Sequence, residues 1–471
     1  MNRLTQTLRR VIDARLQPAY LRLVSIAVLA VGGVLLCLSF ATSDRGQTRF
    51  GTPLGNDFAG FYVAAQILDR GQETKLYDRE LHDQLYHALL PNLDQGDSIP
   101  YVHPPFVAGV LRPLTHIPYE AAVAVWLAIS AGLFGAGVWF LIRSLRSLPR
   151  EQTTLMMLMA LSFEPFLMEC WLGGQLSAVG FFSYAVAWLL LSRNRPIASG
   201  MALGLSFYKP TLLLLTLPLL VIGRCGRILV GMTITGFLLA GLSLAFVGWD
   251  VSVGYLDVLL SFRKNTSGGG LQIVAWKYVD LNNALRLLCG GKSAFQTAAF
   301  VGLLLLSFTV LARRWWRWPA LDVNQRQWLW AATLAWLPVL NLYVGIYDSI
   351  FVVQSLLIAA DVLLREQRTD SPLTDSGLSY CALAIGGSAW FSQSLARVSG
   401  LQLYTIALIA LGVLELRLAK SSFNTGLLTR SVSEGVGKSL VESPSLTLRV
   451  GFETASNQRH QSTDDASDNA P

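Results

Sequence analysis

Long apolar stretches recur from one end of the chain to the other, separated by short polar segments. Charge-free windows of about nineteen residues are long enough to cross about 30 Å of hydrocarbon as a helix. The pattern therefore predicts an all-α protein that crosses the membrane about twelve times, with some spans short or broken. The apolar segments lie near residues 23–41, 121–142, 153–170, 176–192, 196–208, 210–222, 227–247, 296–312, 328–344, 348–364, 378–396 and 401–418.

Composition agrees with a membrane protein. Of the 471 residues, 52% are hydrophobic and 14% are charged, whereas soluble domains have roughly 25% charged residues. The formal net charge is +7, but Lys and Arg occupy short gaps between apolar segments rather than one basic domain. These basic residues predict the orientation of the helices across the membrane, and they do not indicate nucleic-acid binding. The five cysteines are far apart, which favours packing roles over a disulfide framework or a metal cluster.

The basic gaps predict which segments face the cytoplasm. Residues 1–22 are amphipathic, contain arginines and lack a cleavable signal, so we expect a cytoplasmic N-terminus ahead of a membrane domain at 23–420. Residues 421–471 are rich in Ser, Thr, Asn, Asp and Gly, which predicts a disordered cytoplasmic tail. The long outer loops are then residues 42–119 and 249–295.

This topology requires that residues 196–222 form two short helices rather than one span. The expected break is at Lys209-Pro210, because proline lacks a backbone donor and disfavours helix at the preceding residue. Lys209 would then lie near the outer face. A lysine between two apolar runs needs water, a counter-ion or an anionic ligand. A lipid phosphate group would satisfy it, and so would simple snorkelling from a helix end.

The first outer loop is unusually long for a simple channel or carrier. It contains Asp57, followed by Phe58 to Asp69 and Leu76 to Leu90, whose apolar spacing predicts two amphipathic helices at the membrane interface. Asp57 is a candidate general base in this loop. An aspartate just before a helix is also a common N-cap, and the sequence leaves both interpretations open.

Several other polar residues also fit two interpretations, one functional and one structural. Arg263 and Asn265 precede a glycine run and could bind phosphate or sugar hydroxyls, or lie in a solvated loop. Asp348 fits either a helix cap or a substrate-binding residue. His103 has no second ligand at metal spacing, which favours a hydrogen-bonding or stacking role over zinc.

Together, the polar motifs resemble glycosyltransferase family 87, whose members are bacterial polytopic enzymes of the GT-C type. The family includes polyprenol-phosphate-mannose-dependent mannosyltransferases. The resemblance extends from about Asn56 to Asp361, and the order and placement of the motifs carry it. The motifs are Asn56-Asp57-Phe58, Phe61-Tyr62, Gly71, Leu76-Tyr77-Asp78, Tyr101, His103-Pro104-Pro105-Phe106, Pro113-Leu114, Gly174-Gln175, Gly200, Gly204-Leu205, Lys209-Pro210, Asn265, Ser267 and Tyr347-Asp348.

The resemblance implies a GT-C-like helix bundle in the bacterial cytoplasmic membrane, with its active site facing the periplasm. It also implies inverting transfer of mannose or another hexose from a polyprenyl-phosphate donor to a lipid or glycan acceptor. Asp57 would be the general base, and Lys209 and Arg263 would bind the donor phosphate. We expect no metal and no cofactor. The remaining candidate substrate-binding residues are Asn56, Tyr62, His103, Gln175, Asn265, Tyr347 and Asp348.

One departure and two alternatives stay open. The turn Asn341-Leu342-Tyr343 lacks a histidine that some relatives have near this region, which leaves acceptor binding open. A carrier or flippase for a lipid-linked saccharide would also place Lys209 and Arg263 near an anionic headgroup. It would not need Asp57 in a long outer loop, and it should show matching broken helices in both halves. A scaffolding subunit would need none of these polar residues.

Overall fold

The structure is a computed structural model that describes residues 17–49, 51–93, 98–265, 274–366 and 376–419. The predicted tail at 421–471 and most of the predicted N-terminal segment lie outside the described residues. Within the described part the regular secondary structure is helical, with isolated bridges but no β-strand. The prediction of an all-α protein is therefore confirmed.

Seventeen α-helices within the described ranges form the framework. They are α1 Pro18–Ala41, α2 Phe58–Asp69, α3 Arg79–Leu89, α4 Pro105–Leu111, α5 Tyr119–Ser144, α6 Arg150–Leu161, α7 Ser177–Ser192, α8 Pro196–Gly204, α9 Leu213–Ile222, α10 Gly226–Asn265, α11 Leu281–Leu288, α12 Ala294–Trp315, α13 Val323–Trp336, α14 Phe351–Arg365, α15 Ser376–Ala389, α16 Ser392–Ser399 and α17 Leu403–Ala419. A π-helix, Pro165–Leu172, follows α6, and α10 is kinked at Gly248.

Five of the described helices are long and apolar enough to cross a membrane, or up to seven spans if two bent helix pairs each count as one. The bent pairs are α6 with the π-helix, and α16 with α17. About twelve spans are thus not confirmed. Four other apolar helices have only 10–17 residues, and at 1.5 Å per residue they reach roughly 15–26 Å, less than the hydrocarbon thickness.

The predicted break at Lys209-Pro210 is confirmed. Helix α8 ends at Gly204, and two 3-10 turns then flank Lys209, which has an extended backbone with φ −138° and ψ 84°. Helix α8 packs backbone to backbone against α10. A Cβ on Gly200 would lie 1.9 Å from the Ile228 carbonyl oxygen. This small-residue contact brings the two helices close together, just before the chain reaches the Lys209 turn.

The two helices of the predicted first outer loop differ from one another. Helix α2 has the predicted bounds, but ten of its twelve residues are buried, so it lacks the exposed polar face that its predicted amphipathic character requires, and its position at the membrane interface stays a prediction. It is apolar on nearly every face, which is typical of an interior helix. Helix α3 does have one buried face, with the other face exposed, as its amphipathic spacing predicts. Asp78 caps it by accepting hydrogen bonds from the backbone N–H groups of Glu80 and Leu81.

A buried polar cluster ties α13 and α14 to the turn after α5. The Asp361 carboxylate accepts hydrogen bonds from the Ser147 N–H at 2.7 Å and from Arg365. Arg365 also donates to Asn324 at 2.8 Å. Asp361 follows Asp348 by about thirteen residues of helical chain, which separates them by roughly 20 Å along the axis. The cluster is therefore at the other end of α14 from the polar residues described next.

Candidate active site

Two glycine-containing turns hold Asp57 in place. Gly55 and Gly174 have φ values of +69° and +68°, in the left-handed region that glycine adopts without steric cost. The turns touch, since a Cβ on Gly174 would lie 2.1 Å from the Gly55 carbonyl oxygen. The Asp57 N–H donates to the Gly173 carbonyl at 3.1 Å. The turn before α2 is thereby fixed to the turn that follows the π-helix.

The Asp57 side chain is bound by Gln175 rather than by its own helix. Asp57 occupies the N-cap position of α2 but accepts no capping hydrogen bond, whereas the Gln175 side-chain amide donates to its carboxylate. Gln175 itself is buried. The helix-cap interpretation of Asp57 is therefore wrong. The side-chain amide orients one carboxylate oxygen and leaves the other for a different partner.

The electrostatic surroundings of Asp57 suit acid–base chemistry. Burial disfavours the charged carboxylate and raises its pKa to about 7, although the cations Lys209 and Lys277 oppose the rise and Glu169 adds to it. A group with a pKa near the working pH can both accept and release a proton. The Asp57 carboxyl group is thus suited to a general base at neutral pH.

Lys209 and Asp348 form an ion pair close to this carboxyl group. The ammonium group of Lys209 donates to one Asp348 oxygen, and the Ser177 hydroxyl donates to the other at 2.6 Å. The Lys209 Nζ atom also lies 4.8 Å from the centre of the Tyr347 ring. Asp348 caps neither its own 3-10 turn nor α14, so the helix-cap interpretation of Asp348 is wrong as well.

His103 lies next to the Lys209 turn. Its Nδ1 atom is 3.1 Å from the Tyr208 carbonyl oxygen, which can only accept, so Nδ1 carries the proton. Burial, with a smaller effect of the Lys209 charge, lowers the pKa of His103 to about 4, although the hydrogen bond to the Tyr208 carbonyl opposes the shift. The ring is therefore neutral at pH 7, with Nε2 as the acceptor. The rings of Phe61 and His103 pack nearly at right angles, with centroids 5.1 Å apart.

The other predicted site residues have different positions. The Tyr62 hydroxyl donates to the Ile117 carbonyl at 3.1 Å, and Asn56 is exposed with φ +37°. The side chains of Arg263 and Asn265 lie outside the described residues. The structure thus brings together Asp57, Gln175, Lys209, Tyr347 and Asp348, with His103 beside Tyr208.

Two charged residues near Asp57 were missed by sequence reasoning. Glu169, on the π-helix, accepts a hydrogen bond from Gln393 at 2.9 Å. Its charge within the predicted apolar segment 153–170 was an available signal, because a carboxylate in a membrane span is usually functional. The positive charge of Lys277 interacts electrostatically with the carboxylates of both Asp57 and Glu169. No local motif distinguishes Lys277 within its predicted loop.

Among the described residues, no three His, Cys, Asp or Glu side chains group closely enough to hold a metal ion. The expectation that transfer needs no metal and no cofactor stays a prediction.

Comparison with known proteins identifies one protein family. The family model for glycosyltransferase family 87 matches residues 101–340, about half of the chain and less than the predicted extent of 56 to 361. It includes Gln175 and Lys209 but not Asp57 or Asp348. No curated protein and no solved structure matches the chain. From the extent of the family match, we conclude that the chain belongs to glycosyltransferase family 87.

Proposed function

We propose that the protein transfers mannose or another hexose from a polyprenyl-phosphate donor to a lipid or glycan acceptor. The reaction would take place at the outer face of the bacterial cytoplasmic membrane, with both chain termini in the cytoplasm. The family indicates a glycosyltransferase, and the apolar helices suit a lipid-linked donor. The Asp57 carboxyl group carries the proposal, because it combines a fixed position with a pKa of about 7.

In the proposed reaction, Asp57 removes the proton from an acceptor hydroxyl group while that oxygen attacks the anomeric carbon. The bond between this carbon and the phosphate oxygen breaks, so the configuration at the carbon is inverted. Polyprenyl phosphate leaves as an anion that needs charge stabilisation rather than a proton. Gln175 would keep the carboxylate oriented through its hydrogen bond. The scheme uses no metal and no cofactor.

Lys209 and Arg263 are the proposed donor-phosphate ligands. Lys209 is already paired with Asp348, so a bound phosphate would share its charge with that carboxylate. We further propose that substrate hydroxyl groups contact some of the remaining polar candidates. These are Asn56, Tyr62, His103, Asn265, Tyr347 and Asp348.

The test is sugar transfer by the purified protein in lipid, with radiolabelled polyprenyl-phosphate-mannose as donor and a crude membrane glycolipid extract as acceptor. We expect label in a glycolipid with the intact protein but not with Asp57→Asn. Asp44→Asn is the matched control, because Asp44 is an exposed aspartate of the same outer loop and its change should leave transfer intact.

Two results would contradict the proposal in different ways. Transfer by Asp57→Asn at the normal rate would reject Asp57 as the base. If no polyprenyl-phosphate sugar serves as donor while the lipid still binds, the donor class is wrong and the carrier interpretation gains support.

A further inference from the structure

A short segment, residues 275–281, is fixed beside the candidate active site. Its Val279 N–H donates to the Val344 carbonyl at 2.9 Å, and the Thr405 hydroxyl donates to the Val279 carbonyl at 2.8 Å. The buried Asp280 side chain accepts from the Val344 N–H at 3.2 Å. These bonds attach the segment to α17 and to the chain just before Tyr347. We call it the 275–281 segment.

Two cations share one aromatic ring at this segment. The Lys277 Nζ atom lies 5.5 Å, and the Arg397 guanidinium carbon 5.7 Å, from the centre of the Trp276 ring. Gln402 donates to the carbonyl groups of Trp276 and Tyr278, at 3.3 Å each. Cations over a tryptophan face are attracted by its electron density. Both positive charges therefore lie within about 6 Å of the centre of one ring.

Neither of these two cations has a carboxylate in direct contact, as Lys209 has, although the carboxylates of Asp57 and Glu169 interact with Lys277 electrostatically. Both side chains are exposed, and within the described part of the chain neither forms an ion pair with a carboxylate. Lys209, in contrast, is bound to Asp348 and its side chain is only 18% exposed. Lys277 is also close enough to Asp57 to act on it electrostatically. A free anion near the base would thus meet, at Lys277 and Arg397, cations that are not held in an ion pair as Lys209 is.

We propose that Lys277 and Arg397 form a phosphate-ester site that contacts the phosphate group of the lipid-linked donor directly, while Lys209, proposed above as a ligand of the same phosphate, keeps its ion pair with Asp348 and adds its charge to the site. This proposal rests on the proposed function for the identity of the donor. The two exposed cations would neutralise the phosphate without first breaking a buried ion pair, which would be costly. The phosphate of the donor would then lie on the side of Asp57 where the 275–281 segment is attached.

The test measures binding, so it does not depend on turnover. The affinity of the full chain for polyprenyl phosphate is measured in nanodiscs of neutral phosphatidylcholine, with uncharged polyprenol as reference. A charge-assisted contact is strong enough that its loss should weaken binding by about tenfold or more. We expect this loss of polyprenyl-phosphate affinity in Lys277→Ala and in Arg397→Ala, with polyprenol binding unchanged. Lys277→Arg should retain most of the affinity.

Lys292→Ala is the matched control, because Lys292 is an exposed lysine of the same predicted outer loop. Normal polyprenyl-phosphate binding by both alanine variants, with unchanged thermal stability, would overturn the proposal. Equal displacement by the same concentration of phosphatidylglycerol would show a site for bulk lipid headgroups and would also overturn it. Inorganic phosphate should compete only weakly, because it lacks the apolar chain.

The two proposals can fail separately. If the intact protein binds polyprenyl phosphate through Lys277 but transfers no sugar, the proposed function is wrong and the phosphate-ester site stands. If the intact protein transfers sugar and Lys277→Ala leaves the KM for the donor unchanged, the site is wrong while the transferase stands. A raised donor KM with little change in kcat would support both.

Discussion

Replacing Asp57 by asparagine should separate catalysis from stability. The amide has nearly the volume of the carboxyl group, and its oxygen can still accept the hydrogen bond from Gln175. The backbone bond from residue 57 to Gly173 is untouched. The variant should therefore fold and bind lipid normally, while it loses the group that accepts the acceptor proton.

The expected magnitudes follow from the environment of this carboxyl group. Positioned general bases contribute roughly 10²–10⁴-fold to a rate, so kcat should fall by about that factor. The stability of the Asp57→Asn variant, in contrast, should equal or exceed that of the wild type. The pKa of Asp57 is raised from 3.8 to about 7, so the folded protein binds a proton in this range that the unfolded chain has released.

The contribution of Asp57 to stability is therefore greatest below about pH 4 and is lost as the pH rises through 7. At about 1.4 kcal/mol per pKa unit, the shift from 3.8 to about 7 corresponds to no more than about 4 kcal/mol. The true value is smaller because the side chain is only partly buried and solvent screens it. Asp57→Asn should thus unfold at the same or a higher temperature than the wild type, with a larger difference at pH 8 than at pH 5.

The assays are sugar transfer from pH 5 to pH 9 and thermal unfolding in the same lipid. Wild-type kcat/KM should rise with pH around 7, where Asp57 loses its proton, and the residual rate of Asp57→Asn should lack this step. A variant that unfolds at a clearly lower temperature, and loses activity in parallel, would refute the reasoning. The carboxylate would then be a structural group rather than a base.

Three further predictions concern two residues of the site and one at the far end of α14. Gly174→Ala should lower the unfolding temperature and abolish transfer, because a Cβ would lie 2.1 Å from a backbone oxygen. Gly132→Ala is the control, because its Cβ would meet no atom within 4 Å. It should change neither the unfolding temperature nor the rate of transfer. Asp348→Asn should lower the unfolding temperature, since it leaves the largely buried Lys209 charge without its partner; an unchanged unfolding temperature would contradict this. Asp361→Ala should lower the unfolding temperature by breaking the cluster at the far end of α14, yet the donor KM of the folded fraction should stay normal; a changed KM would refute its purely structural role.

Much of the architecture was predictable from local pattern. The apolar periodicity predicted an all-helical membrane protein, and the proline after Lys209 predicted the break that the structure shows. These features depend on properties of neighbouring residues, such as a missing backbone donor. The number of spans was not predictable in this way. An apolar run of 10–17 residues can be a short span or a buried helix, and packing against other helices decides between them.

The sequence by itself determined which polar residues were unusual for their surroundings, notably Asp57 and Lys209. It did not determine their partners. The contact of Asp57 with Gln175 joins residues 118 positions apart, and that of Lys209 with Asp348 joins residues 139 positions apart. Both helix-cap interpretations were wrong for this reason, since capping is a local interaction and these carboxylates bind distant donors. The pKa of Asp57 and the placement of Lys277 likewise arise from burial and distant charges, which only the tertiary structure brings together.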